Sequence, residues 1–315
     1  MEFQRQCRRF LHYRTLNEET IKKNFGQITA MSSYKSSLKN SAVQNRIVFF
    51  DRDNCTIYVL NENDNQIIKD LKVSWISYGI CCTNKPTNNF IYFTDHTNNK
   101  IRKFDENLNE IKVFTTPEDA KPINEPCGIA INFEFERIDV VDQKNHRVVS
   151  FDLKTDTFVS EMPLYDEVFV KKIKKPTVDL VLKNENFENE IFSYGKKKLI
   201  NCWPFGIASK NERIFVTDWS RNFIYIYKNG NLENKICGHK LFTRIRDIVI
   251  DSLDSILVTD TYRKSIFVFD NRGVFLMETK VPIQDEEDTI YGVSKVDNTK
   301  LAFATNSSIV ICNLN

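Results

Sequence analysis

Apolar residues recur along this chain in a two-residue rhythm, and the rhythm itself recurs. Five segments align without gaps: IVFFDRDNCTIYVLN, IYFTDHTNNKIRKFD, IDVVDQKNHRVVSFD, IFVTDWSRNFIYIYK and ILVTDTYRKSIFVFD. Each centres on an aspartate: Asp51, Asp95, Asp142, Asp218 and Asp260. Ile47, Ile91, Ile138, Ile214 and Ile256 stand four residues before it; Phe49, Phe93, Val140, Val216 and Val258 stand two before. A second apolar pair follows, at Ile57, Ile101, Val148, Ile224 and Ile266 and then at Leu60, Phe104, Phe151, Tyr227 and Phe269. Side chains two apart share one face of a strand, so each segment predicts a strand, a short connection and a second strand. β-branched and aromatic residues dominate the apolar positions, as packed strands favour. The aspartate falls where a short carboxylate can accept backbone N–H groups and fix the turn, which is a structural role.

A further strand precedes these hairpins, at Ser77–Cys82, Pro126–Ile131, Pro204–Ser209, Ile245–Ile250 and Ile290–Lys295. Gly79, Gly128, Gly206 and Gly292 share one place in it, which predicts close backbone approach around a central channel. A fourth strand follows at Ile67–Leu71, Glu110–Thr115, Phe158–Met162, Leu232–Cys237 and Val274–Lys280. The aspartates are spaced by 44, 47, 76 and 42 residues. Four-stranded units at that period predict an all-β, six-bladed β-propeller. The sixth unit is the C-terminal TIYGVSKVDNTKLAFATNSSIVICNLN, with Asn306 in the place of the aspartate and no fourth strand. An N-terminal strand at Thr20–Gln27 is expected to close the ring. The propeller would therefore span residues 20–315, with residues 165–200 an insertion or, alternatively, a degenerate seventh blade. Residues 1–19 stand apart. Phe3, Cys7, Phe10 and Leu11 fall on one helical face of Met1–Arg14, with Arg5, Arg8 and Arg9 elsewhere, which predicts a basic amphipathic helix.

The PxGIA strands, the D-x-x-N turns and KNHRVVSFD (Lys144–Asp152) resemble NHL repeats, over roughly Phe25–Asn315. The resemblance implies a propeller like that ending the tripartite-motif proteins, which bind RNA or protein partners. It does not carry ubiquitin-ligase activity across, because no zinc-ligand spacing of RING or B-box type occurs. The NHL-like family includes a secreted lyase that holds its metal through histidines. Here His96 and His146 lie at different offsets from their aspartates, and His239 sits in another connection. His146 reads as a turn residue.

Net charge is +2, so no whole-molecule attraction to nucleic acid is expected, and any preference must be local. The connections after the aspartates carry Arg52, Lys100, Lys144, Arg147, Arg221, Arg263 and Lys264 against Asp53. Trp219 and Tyr262 lie among them, and the entering loops add Phe205, Arg244 and Arg246. In a propeller these loops share one face. Cations interleaved with rings suit single-stranded RNA, whose phosphates are neutralised and whose bases stack. The competing readings are a protein partner, or arginines that merely pair with the turn aspartates. The eight scattered cysteines form no CxxC pair and read as free thiols of a reducing compartment. No Walker, GxGxxG, GxSxG or HExxH motif is present. The sequence thus predicts a cytoplasmic, monomeric, non-catalytic binding module without cofactor or metal, holding RNA or protein and no membrane. The alternative is a metal-dependent lyase or hydrolase with its site in the channel.

Overall fold

The computed structural model describes residues 11–16, 25–36, 43–84, 89–164, 202–237, 241–283 and 287–314. These form 24 strands and one short 3-10 turn. β1 (Leu11–Leu16) comes first in the chain but belongs to the last blade. Blade 1 is β2 (Ile28–Ser36), β3 (Gln44–Asp51), β4 (Thr56–Asn61) and β5 (Gln66–Lys72). Blade 2 is β6 (Ile80–Cys82), β7 (Phe90–Asp95), β8 (Lys100–Asp105) and β9 (Glu110–Phe114). Blade 3 is β10 (Pro126–Asn132), β11 (Arg137–Asp142), β12 (Arg147–Asp152) and β13 (Phe158–Pro163). Blade 4 is β14 (Pro204–Lys210), β15 (Arg213–Asp218), β16 (Phe223–Lys228) and β17 (Asn231–Cys237). Blade 5 is β18 (Ile245–Ile250), β19 (Ile256–Asp260), β20 (Ser265–Phe269) and β21 (Phe275–Lys280). Blade 6 is β22 (Ile290–Lys295), β23 (Lys300–Thr305), β24 (Ile309–Leu314) and β1. Every pairing is antiparallel, and the first strand of each sheet faces the channel.

The predicted six-bladed propeller is therefore the observed fold. Its core is divided into six apolar clusters, one between each pair of neighbouring blades. Ile47, Phe49 and Leu60 of blade 1 pack on Ile309 and Ile311 of blade 6, whereas Val48, Phe50 and Ile57 pack on blade 2. Both faces of each middle strand are thus buried, which is why these segments are nearly continuously apolar. Trp75 lies stacked on Phe50 at 5.7 Å and edge-on to Phe93 at 5.8 Å, bridging blades 1 and 2. Each such large side chain is worth about 2 kcal/mol in removed apolar surface.

The inner strands touch closely. A Cβ on Gly79, Gly128 or Gly206 would stand 2.5 Å or less from a carbonyl oxygen of the next blade. At Gly292 the nearest atom would be 3.5 Å away, so only the first three need glycine for clearance. β10 and β14 are in direct contact, which leaves no place for a seventh blade between them. Residues 165–200 lie outside the described residues.

Three expectations are corrected. The strand that closes the ring is β1, in register with β24 from Leu11↔Leu314 to Leu16↔Ile309, and not Thr20–Gln27. Residues 11–14, assigned to a helix, thus belong to a strand, because pairing with the open edge of β24 supplies the backbone partners that a helix would supply locally. Residues 1–10 lie outside the described residues. In blade 6 the position registered with the aspartates is Thr305, paired with Ile290, and not Asn306. The Thr305 hydroxyl accepts the Ser308 N–H at 3.0 Å, and Asp288 accepts the Asn306 N–H at 2.6 Å, so a hydroxyl and a displaced carboxylate share the turn-fixing task.

Candidate functional site

The five aspartates are buried and act as turn anchors. Asp51 accepts the Asn54 N–H at 3.0 Å and, across the incoming connection, the Gly26 N–H at 2.8 Å. Asp142 accepts the Asn124 N–H, Asp218 the Trp203 N–H and Asp260 the Thr243 N–H in the same manner. Asp95 is held instead by Asn98 and Arg102. The D-x-x-N pattern has a direct cause: the Asn54, Asn98 and Asn145 amides donate to the aspartate three residues before them, at 2.7, 3.0 and 2.8 Å. The following residue takes the left-handed conformation in all five turns, at Cys55, Asn99, His146, Asn222 and Lys264. His146 is thus a turn residue, as its position suggested.

Blades 4 and 5 carry Arg221 and Arg263 in place of that asparagine. In blade 5 the entering Thr243 and Arg244 N–H groups satisfy Asp260 Oδ2 instead. In blade 4 none does among the described residues: Asp218 Oδ1 takes the Trp203, Ser220 and Arg221 N–H groups, and Asp218 Oδ2 is buried without a partner there.

The turns between second and third strands and the connections entering each blade share one end of the ring, here called the aspartate face. On it, the residue before the shared glycine position, occupied in β18 by Asp247, brings Tyr78, Phe205, Arg246 and Tyr291 around the channel mouth. The Arg246 guanidinium lies 4.4 Å from the Tyr291 ring, 4.5 Å from Phe205 and 5.8 Å from Tyr78. Its Nε is buried with no hydrogen-bond partner, and no carboxylate forms an ion pair with it among the described residues. Burial pushes this guanidinium down to about 10. Outside this ring, Arg244 lies 3.7 Å over Trp219 and 5.2 Å from Tyr262, and it donates to the Tyr262 hydroxyl. Phe205 joins the two groups, at 5.7 Å from Tyr78 and 6.5 Å from Trp219. Tyr262 is 55% exposed and Trp203 41%. The Lys144 ammonium sits 4.8 Å over Trp203, with Glu125 at 3.5 Å. The Trp219 indole N–H is a second buried donor without a partner among the described residues.

The remaining sequence-selected cations divide. Arg147 is buried against Asp142 and Glu161 and presents nothing to a ligand, which removes it from the expected binding set. Arg263 is held by Glu278 at 2.9 Å. Arg52 donates to Gln27 at 2.7 Å and is exposed, as is Lys100, which has no ion-pair partner among the described residues. The Arg221 guanidinium likewise has none. Lys264 is half-buried in its left-handed turn. Sequence reasoning missed Tyr78, Tyr291 and Trp203. The first two immediately precede the shared glycine, as Phe205 does, so the signal was available in the alignment.

His96 and His146 each meet a cysteine of the following blade: Nδ1 lies 3.9 Å from Cys127 Sγ and 3.6 Å from Cys202 Sγ. Burial pushes the His96 imidazole down and the Cys127 thiol up, so both are neutral packing groups. His239 lies outside the described residues. Among the described residues no three His, Cys, Asp or Glu side chains converge as a metal-binding group. No helix there is long and apolar enough to cross a membrane.

Beyond the Arg246 ring the channel widens into a cavity of about 400 Å³ that opens on the opposite face. At its floor Asp247 occupies the level where neighbouring blades carry Gly206 and Gly292. Its carboxylate accepts the Val293 N–H of the next blade and the Ile248 N–H, both at 2.9 Å. Burial nevertheless pushes it up to about 6.

A family model described as a 6-bladed beta-propeller matches residues 205–309. No curated protein matches the chain by sequence. Among solved structures it is similar to a streptogramin B lyase, at 14% identity over 97% of this chain and 98% of that one, with a TM-score of 0.61. A virginiamycin B lyase from Staphylococcus aureus aligns at 12% identity over 97% and 100%, TM-score 0.58. A gluconolactonase from Xanthomonas campestris aligns at 12% identity over 96% and 90%, TM-score 0.64. At these identities the likeness establishes the propeller fold alone.

Proposed function

We propose that this propeller is a non-catalytic binding module whose aspartate face holds single-stranded RNA. The observation that carries the reading is Arg246: a guanidinium boxed by three rings, with a buried Nε and no carboxylate ion pair among the described residues. A cation held in that state within the protein is ready for an anion from outside it. Around it Trp203, Tyr262, Arg221, Lys100 and Arg52 provide exposed or partly exposed rings and charges for bases and phosphates. The turn aspartates do not neutralise this set. Among the described residues Arg147 pairs with Asp142, whereas Arg263 pairs with Glu278 and Lys144 with Glu125. The resemblance to NHL repeats points the same way, since such domains bind RNA or protein.

The test is fluorescence anisotropy with a labelled ten-nucleotide RNA across a salt series. The logarithm of affinity falls with that of salt at about 0.7 per neutralised phosphate. Arg246→Leu and Arg244→Ala each weaken binding about tenfold while the melting curve stays cooperative. Absence of salt-dependent binding by the parent protein refutes the RNA reading and leaves this face to a protein partner.

A second reading, an enzyme site in the channel, draws on Asp247. A carboxyl pushed up to about 6 inside a cavity is poised for proton transfer near neutrality. Lactone-hydrolysis and lyase assays that lose their signal in Asp247→Asn would favour it over the binding module.

A further inference from the structure

The cavity on the face opposite the aspartates is independent of the RNA reading, and its chemistry is different. Its mouth is formed where the inner strands end and turn outward. Lys35 of blade 1, Lys210 of blade 4 and Lys295 of blade 6 converge there. Lys210 is held by Asp254, but neither Lys35 nor Lys295 has an ion-pair partner among the described residues. Burial, together with Lys210 and Lys35 nearby, lowers the Lys295 ammonium, while Asp251 and Asp297 oppose this.

Acids are present at the mouth, yet most are occupied. Asp251 accepts the Leu253 and Ser255 N–H groups at 2.7 and 2.8 Å. Asp297 accepts the Thr299 N–H and hydroxyl at 2.7 and 2.8 Å and the Asn45 amide at 3.3 Å. Both are fixed as turn caps. Glu134, on blade 3, is the one lining carboxylate without a hydrogen bond or ion pair among the described residues. Deeper in, the Ser209 hydroxyl is buried and has no partner among the described residues. Ser32, Ser33 and Ser294 line the wall with it, and Asp247 forms the floor. Asp247 meets blade 6 at Val293, two residues before Lys295, which puts about 7 Å of strand between the floor and the lysine level. Apart from Tyr78 at the inner end and the exposed Phe133, no aromatic side chain among the described residues lines the cavity, so they offer a base no platform to stack on.

We propose that this cavity binds a phosphorylated polyol of five or six carbons, its phosphate at Lys35 and Lys295 and its hydroxyls toward Ser209 and Asp247. Two free ammonium groups suit a dianionic head, and hydroxyls match an orphan hydroxyl, backbone edges and a carboxylate that accepts hydrogen bonds. The volume is in the range of small-molecule sites.

Isothermal titration calorimetry with glucose 6-phosphate, glucose and inorganic phosphate tests this on the full chain. Glucose 6-phosphate should bind at least about tenfold more tightly than either fragment. Lys35→Gln and Lys295→Gln should each weaken it about tenfold, and Asp247→Asn severalfold. Arg246→Leu, on the other face, should leave it unchanged. The two lysines lie at the cavity mouth without ion-pair partners among the described residues, so their substitution should spare the folded state, and an unchanged circular dichroism spectrum is the check. No heat from glucose 6-phosphate at millimolar concentration overturns the proposal. Equal affinity for inorganic phosphate overturns the polyol part. Loss of binding in Arg246→Leu moves the site to the aspartate face and overturns it as well.

Discussion

Replacing Arg221 with asparagine separates what blade 4 does for stability from what it does for a ligand. Asp218 Oδ2 is buried with no donor among the described residues, whereas in blades 1, 2 and 3 an asparagine at the position of Arg221 donates to the aspartate at 2.7–3.0 Å. An unsatisfied buried acceptor costs about 1–3 kcal/mol, and a hydrogen bond to a charged group returns about 1.5–3 kcal/mol. The asparagine must be ordered to make it, and the turn backbone is already in place, so a net gain of about 1.5 kcal/mol is expected. For 315 residues the unfolding entropy near the midpoint is roughly 0.65 kcal/mol/K, so the melting temperature should rise by about 2 °C. The same variant removes a guanidinium with no ion-pair partner among the described residues. On the RNA reading its salt dependence should flatten by about 0.7, one phosphate contact. Scanning calorimetry and anisotropy on the same preparation read both quantities. An unchanged or lower melting temperature would refute the asparagine-to-aspartate bond as the reason for the D-x-x-N turn. Higher stability with unaltered RNA affinity would remove Arg221 from the binding face alone.

The glycines predict a contrast. Gly128→Ala drives a methyl to 2.5 Å from the Phe205 carbonyl oxygen and should cost about 3 kcal/mol or more, whereas Gly292→Ala, with 3.5 Å of clearance, should cost less than about 1 kcal/mol; urea melts decide it. Asp247 predicts a pH effect. Its carboxyl is raised from 3.8 to about 6 in the folded state, so the folded protein holds this proton longer than the unfolded chain. The associated stability is fully present below about pH 4 and lost as pH rises through 6, amounting to up to about 3 kcal/mol. Asp247→Asn should therefore gain on the parent between pH 4 and 7 in melting temperature, and parallel curves would contradict the assignment.

Much of the ring was legible because each blade repeats a local pattern. The hairpins from β3 to β23 and their fourth strands follow from alternation and the aspartate register. β2 was not recognised, since Ala30 stands where the other inner strands show glycine or, in β18, Asp247. β1 was misplaced because its pairing with β24 spans almost the whole chain and leaves no local signature. At the site, Arg244, Arg246, Phe205, Trp219 and Tyr262 were found by their place in the turns. Pairing of an arginine with a turn aspartate was foreseen only as an alternative, and Arg147 could not be singled out for it, because Lys100 at the same distance from its aspartate is exposed. The cavity lysines escaped notice for another reason: Lys35, Lys210 and Lys295 are scattered singles until the ring closes.

That closure has a kinetic consequence. The clasp joins Leu11–Leu16 to Ile309–Leu314, so the last sheet cannot be completed until nearly the entire polypeptide is available. Until then β24 presents a bare edge of unpaired amides and carbonyls, a template for any extended strand it encounters. A detached peptide of sequence LHYRTL is the natural competitor for that edge. Misassembly of this protein should therefore begin at blade 6, by exchange of the N-terminal segment between molecules.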